Sequence, residues 1–162
     1  MAKKKNEEFS EIFELGNINL GGSALKEKLY EKGIYYITGE IETNSLLEIH
    51  QDILLKHLDP AWHDDIQFII NSVGGEVAEG WALIDLLDWV KMEVQTTGLG
   101  LCASLGAMLL ASGTTGKRRL GRNASLMVHG ASVGYAGGNY QQLVTLTEDM
   151  KQEQRRAIEF WI

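Results

Sequence analysis

The sequence predicts an α/β domain, and three observations carry that expectation. Short β-branched runs alternate with longer segments of helical periodicity. One of the runs, Ile66-Gln-Phe-Ile-Ile70, is almost continuously apolar, as expected for a strand buried on both faces of a parallel sheet. Glycine-rich segments follow three of the strands, where open α/β folds gather their ligands.

The first strand is Ile34-Tyr-Tyr-Ile-Thr38, β-branched and aromatic, closed by Gly39. Asn44 or Ser45 then caps a helix to about Leu58, whose apolar face is Leu46, Leu47, Ile49, Ile53, Leu54 and Leu58. Asp59 and Pro60 end that unit, and Ile66–Ile70 is the second strand. Asn71-Ser-Val-Gly-Gly75 reads as a turn into a helix over about Glu76–Met92, with Trp81, Leu83, Ile84, Leu87 and Val90 at helical spacing. Glu93-Val-Gln-Thr-Thr97 is a third strand stopped by Gly98 and Gly100. A short apolar helix runs from near Ser104 to Gly113, and strands follow over Lys117–Leu120 and Ala124–His129. After a glycine-rich loop to Gly138, a long amphipathic helix occupies the remainder from about Asn139.

The 162 residues suit one domain, with residues 1–9 as a mobile polar tail and 10–162 as the folded part. The net charge of −7 argues against nucleic acid as a partner, because phosphate contacts call for a Lys/Arg surplus. A single cysteine excludes a disulfide framework and points to a reducing, cytoplasmic setting. The start has basic residues but no apolar core behind them, and the longest apolar stretch, Gly98–Gly113, falls short of the roughly 18 residues a membrane span needs. A membrane partner is therefore not expected, and no cofactor is expected. Residues 94–147 contain no carboxylate, four cations and ten of the 18 glycines. Such a block suits tight backbone approaches, in a close-packed core or around a ligand.

Ser104 falls at the first turn of a short helix behind a Gly-Leu-Gly-Leu-Cys-Ala run. A serine there serves either as an N-cap or as a nucleophile beside backbone N–H groups that hold an oxyanion. His129 ends the strand Leu126-Met-Val-His129 and enters a glycine loop, a position suited to a general base or to a plain bond to a backbone carbonyl.

Four blocks now stand in register: Asn71-Ser-Val-Gly-Gly75, Gly100-Leu-Cys-Ala-Ser104-Leu-Gly-Ala107, Gly113-Thr-Thr-Gly-Lys-Arg118 and Leu126-Met-Val-His129. In order and interval they resemble the signature blocks of the ClpP family of self-compartmentalising serine peptidases, over roughly Ile34–Met150. The resemblance implies a ClpP/crotonase-like superhelix of ββα units with a C-terminal handle helix, assembled as a homo-oligomeric single or double ring. It implies hydrolysis of unfolded polypeptides within the ring chamber, with Ser104 as nucleophile and His129 as base. The amides of Gly75 and Leu105 would form the oxyanion hole. The backbone of Gly74, Glu76 and Val77, with Ser132, Val133 and Gly134, would hold an extended substrate as an added strand.

The departures from the family pattern shape the expectation. Val73 and Ala131 stand where the family usually has proline. Gln67, Thr97, Arg119 and Gly121 replace apolar positions of the groove that docks an AAA+ unfoldase. The family's third triad residue, an aspartate, falls past Ile162, and no Asp or Glu lies between Glu93 and Glu148 to replace it locally. Asp64, Asp65, Glu148 and Asp149 remain as carboxylates that folding would have to bring to His129, so the third member is unknown. No helix-stop signal accompanies Ile158–Ile162, so a short or truncated form of the family is expected. Two alternatives follow: a catalytically impaired subunit that co-assembles with host protease subunits, and a crotonase-type acyl-CoA enzyme.

Other signals are weaker. Gly98-Leu-Gly-Leu-Cys-Ala103 fits a dinucleotide fingerprint but lacks the acidic residue about 20 positions on. His50, His57 and His63 are not spaced as a compact helical metal pair, so no metal site is expected. Cys102 reads as a small buried hydrophobe.

Overall fold

The computed structural model describes residues 22–90, 92–130 and 139–161. The expected tail over residues 1–9 and the loop carrying Ala131, Ser132, Val133 and Gly134 lie outside them. The elements run α1 (Gly22–Glu31), β1 (Ile34–Ile41), α2 (Leu47–Leu58), β2 (Ile66–Gly75), α3 (Val77–Val90), β3 (Val94–Ala103), α4 (Leu105–Ala111), β4 (Arg118–Leu120), β5 (Ser125–Met127) and α5 (Tyr140–Trp161). The α/β class is as the sequence predicts. The strands form one parallel sheet in the order β1-β2-β3-β4, with β5 also paired to β3.

Tyr35, Ile37, Phe68, Ile70, Val94 and Thr96 project into the core, where they meet Ile49 and Ile53 of α2, Leu83 and Leu87 of α3, and Leu109 of α4. The expectation of a second strand buried on both faces is corrected. β2 alternates, with Ile66, Phe68 and Ile70 buried and Gln67 and Ile69 only half-buried. Helices cover one sheet face; Tyr36, Ile69, Thr97 and Arg119 lie in register across the other.

Three glycine-based stops are also corrected. β1 continues past Gly39 through a register shift, and Asn71–Gly75 is the end of β2 rather than a turn, paired along Thr38–Ile41. β3 runs through Gly98 and Gly100 to Ala103. A Cβ on Gly98 would lie 2.8 Å from Cys102 Sγ and 2.9 Å from Leu120 Cδ1, so this glycine serves close packing, not chain reversal. The dinucleotide-like pattern therefore sits inside a strand, not at a strand-to-helix turn. Neither Asn44 nor Ser45 caps α2; Leu46 holds that position without a side-chain bond. α1, absent from the sequence expectation, packs on β1 through an edge-to-face contact of Tyr30 with Tyr35 at 5.1 Å. At α5 the expected start holds: Asn139 Oδ1 accepts from Gln142 N, and Gln142 Oε1 accepts from Asn139 N, a reciprocal cap. No helix among the described residues is long and apolar enough to cross a membrane.

Candidate active site

The carboxyl ends of β2, β3 and β5 meet at one edge of the sheet, and side-chain bonds hold them there. Asn71 Oδ1 accepts from Leu101 N at 3.1 Å, where the β2–β3 register shifts. Ser72 Oγ donates to Gly39 O at 2.6 Å and accepts from Gly74 N at 3.0 Å. Two glycines follow with φ of +92° and +152°. On Gly75 a Cβ would lie 2.0 Å from Ile41 O, so only glycine lets the end of β2 press against β1. Glu76 N then donates to Ile41 O at 2.7 Å and starts the path into α3.

Ser104 occupies the junction between β3 and α4 with φ 52° and ψ −120°. Backbone strain of this kind costs an L-residue about 1–3 kcal/mol and presents the side chain at a sharp strand-to-helix turn. The choice between cap and nucleophile is narrowed, because the Ser104 side chain makes no cap bond although it holds the N-cap position. The α4 ladder begins with Ala107 N and Met108 N, both donating to Ser104 O. The N–H of Leu105 is thus an end group that the helix does not use. Gly74 N is already occupied by Ser72 Oγ.

Ser104 N donates to Met127 O at 2.8 Å, which fixes the end of β5 beside it. His129 follows two residues later and is exposed. Its Nδ1 lies 2.6 Å from Gly130 O. A carbonyl only accepts, so this bond puts the ring proton on Nδ1 and leaves Nε2 as the basic nitrogen. Ser104 and His129 line the same open cleft of about 620 Å³, together with Glu42, Gly74, Gly75, Glu76 and Val77. They also share a recess of about 40 Å³ toward α5. Among the described residues no hydrogen bond joins Ser104 Oγ to His129, and no carboxylate lies within ion-pair distance of the imidazole.

Of the carboxylates considered from sequence, Asp65 precedes β2 at the opposite end of the sheet and is bonded to Lys117 at 2.6 Å and Gln95 at 3.0 Å. Asp64 precedes the same strand, and Glu148 pairs with Lys151 on exposed α5. The acidic residue that does border the recess with His129 is Glu153, which the sequence reading passed over. Its position in α5 gives no local signal, since its neighbours in the site come from α3, α4 and the segment Val128–His129 after β5. Cys102 is fully buried, its thiol pushed up by burial and donating to Ile70 O, as expected of a structural cysteine. No cluster of metal-ligating side chains occurs among the described residues.

Comparison with known proteins adds an independent line. The family model for Clp protease matches residues 21–161. The ATP-dependent Clp protease proteolytic subunit of Streptococcus mutans is 32% identical over 133 residues, which are 82% of this chain and 67% of that protein. The subunits of the same name from Streptococcus thermophilus and Streptococcus agalactiae are 33% and 32% identical over the same shares. The chain thus spans about two thirds of the length of these relatives.

Proposed function

Because this chain belongs to the Clp protease family, we propose that it is a serine endopeptidase that cleaves unfolded polypeptides through an acyl-enzyme. The observation that carries the reading is Ser104: strained, free of any cap bond, and sharing a cleft with His129 beside the Leu105 N–H that α4 does not use. The extended end of β2 supports strand-like binding of the substrate backbone along Gly74, Glu76 and Val77.

In the reaction, Ser104 Oγ attacks the scissile carbonyl while His129 Nε2 takes the hydroxyl proton. The N–H groups of Gly75 and Leu105 receive the oxyanion. Collapse breaks the C–N bond, the amine leaves with the proton from His129, and water then hydrolyses the ester by the same route in reverse. The Gly130 carbonyl selects the imidazole tautomer, but a neutral acceptor compensates the imidazolium less than a carboxylate does. Loss of an acidic orienter costs about 10⁴-fold in rate.

Ring assembly belongs to the same proposal. α5 has no fully buried residue, and Tyr140, Leu143, Val144 and Ile158 stay exposed along it, which suits packing between copies. A fluorophosphonate probe is expected to label the protein at Ser104, and Ser104→Ala is expected to abolish labelling. A correctly assembled but unlabelled protein would overturn the assignment. The second reading, an impaired subunit that co-assembles with an active protease, is favoured by the lack of a described carboxylate partner for His129. Hydrolysis of a small fluorogenic peptide by the pure protein excludes it; mixed assembly without intrinsic hydrolysis supports it.

A further inference from the structure

Ser104 stands between two spaces of very different size. The cleft toward β1 and β2 is open and holds about 620 Å³. The recess on the α5 side, bordered by both Ser104 and His129, holds about 40 Å³. Its walls are apolar side chains: Val77 and Trp81 of α3, Leu105 and Met108 of α4, and Trp161 of α5. Since a water-sized group needs roughly 10–15 Å³ of such space, the recess has room for about three water-sized groups.

The walls are braced. Trp81 meets Phe160 edge-on at 5.8 Å, and Phe160 meets Trp161 edge-on at 5.4 Å. Trp81 Nε1 donates to Glu153 Oε2 at 3.0 Å, and Arg156 pairs with Glu153 Oε1 at 2.7 Å. Both carboxylate oxygens on the rim are therefore engaged within the protein.

Resting on the serine-peptidase reading above, we infer that Trp81 and Trp161 restrict the residue on the acyl side of the scissile bond to small side chains, such as alanine or serine. A leucine or phenylalanine there has to displace a braced tryptophan, and overpacking of this kind is unfavourable.

The test is a set of internally quenched peptides that differ only at that residue (Ala, Val, Leu or Phe), cleaved by the assembled protein and by Trp161→Ala. The expected kcat/KM for alanine exceeds that for phenylalanine by about tenfold or more. Trp161→Ala, an exposed position, is expected to reverse or level the order. Equal or better cleavage after phenylalanine by the wild type overturns the inference while leaving the peptidase reading intact. Absence of all cleavage and of fluorophosphonate labelling strikes the peptidase reading instead. The recess is then read by calorimetric binding of peptides ending in alanine or phenylalanine to the unmodified protein. Tighter binding of the alanine peptide supports the size filter, and the opposite order overturns it.

Discussion

Gly74 lies so close to Ser104 that a Cβ built on it would sit 2.8 Å from Ser104 Cβ. It would also fall 2.9 Å from Ala103 O and from Leu105 N, and the Gly74 φ of +92°, at the end of β2, disfavours any side chain. Gly74→Ala is therefore expected to destabilise the protein by about 1–3 kcal/mol and leave it folded. Either Ser104 or the Leu105 amide must shift, so labelling of Ser104 by the probe is expected to slow at least about tenfold. Denaturant titration and labelling kinetics read the two effects separately. Labelling at the wild-type rate would show that the contact does not set the serine geometry.

Gly80 of α3 packs against the residue that follows Ser104. A Cβ there would lie 2.2–2.4 Å from the three branch atoms of Leu105, a side chain only 2% exposed. Gly80→Ala is expected to cost about 1–3 kcal/mol through overpacking, and Leu105→Ala about 2–5 kcal/mol through the cavity left behind. In the double variant the new methyl enters the space that the leucine vacates. The combined loss, by urea titration of all four proteins, is expected to fall below the sum of the single losses.

The sequence makes the α/β alternation legible because Ile34–Ile37, Ile66–Ile70 and the α3 stripe Leu83, Ile84, Leu87 and Val90 carry their periods unaided. The strand ends are not legible by the same means. Asn71–Gly75 and Gly98–Gly100 have turn composition, yet parallel partners complete their ladders, so tertiary pairing overrides local propensity. Ser104 and His129 stand out through their glycine-rich contexts. The end group at Leu105 N, the bond from Ser104 N to Met127 O and the approach of Glu153 are contacts between distant segments, and no local pattern encodes them.

Away from the site, Asp52 is the hub of a small polar cluster. Tyr35 Oη donates to it at 2.8 Å, and Lys56 Nζ pairs with it at 2.5 Å while lying 4.8 Å from the Trp62 ring centroid. Lys56 is buried and the Asp52 side chain is only 21% exposed. Asp52→Ala strands a buried ammonium and a buried phenol. A cost of about 2–3 kcal/mol is expected, below that of a wholly buried pair because Asp52 keeps some water contact. Asp52→Leu combined with Lys56→Met removes both charges and is expected to recover much of the loss. If the double variant is less stable than Asp52→Ala, the pair contributes more than mutual compensation.

Lys117, before β4, bonds to Asp65, before β2, at 2.6 Å and lies 3.4 Å from Glu93, tying the amino ends of the strands together opposite the site. The bond from Lys117, with a second from Gln95, holds the Asp65 carboxyl below its ordinary value. The same partnership with Asp65 raises the Lys117 ammonium. A carboxyl depressed on folding binds fewer protons in the folded than in the unfolded chain. Its contribution is therefore complete above the ordinary carboxylate value and is lost as pH falls through the lower folded value. For the raised lysine the sign reverses: its contribution is complete below the ordinary amine value and is lost as pH rises through the folded one. Both side chains are about one-third exposed, so the effect is modest and is expected to weaken with added salt. Stability measured by denaturant titration from pH 3 to pH 7 is expected to fall less steeply on the acid side for Asp65→Asn than for the wild type. Parallel acid limbs would show that Asp65 carries no net linkage, leaving Gln95 and the β3–β4 ladder to hold that end of the sheet.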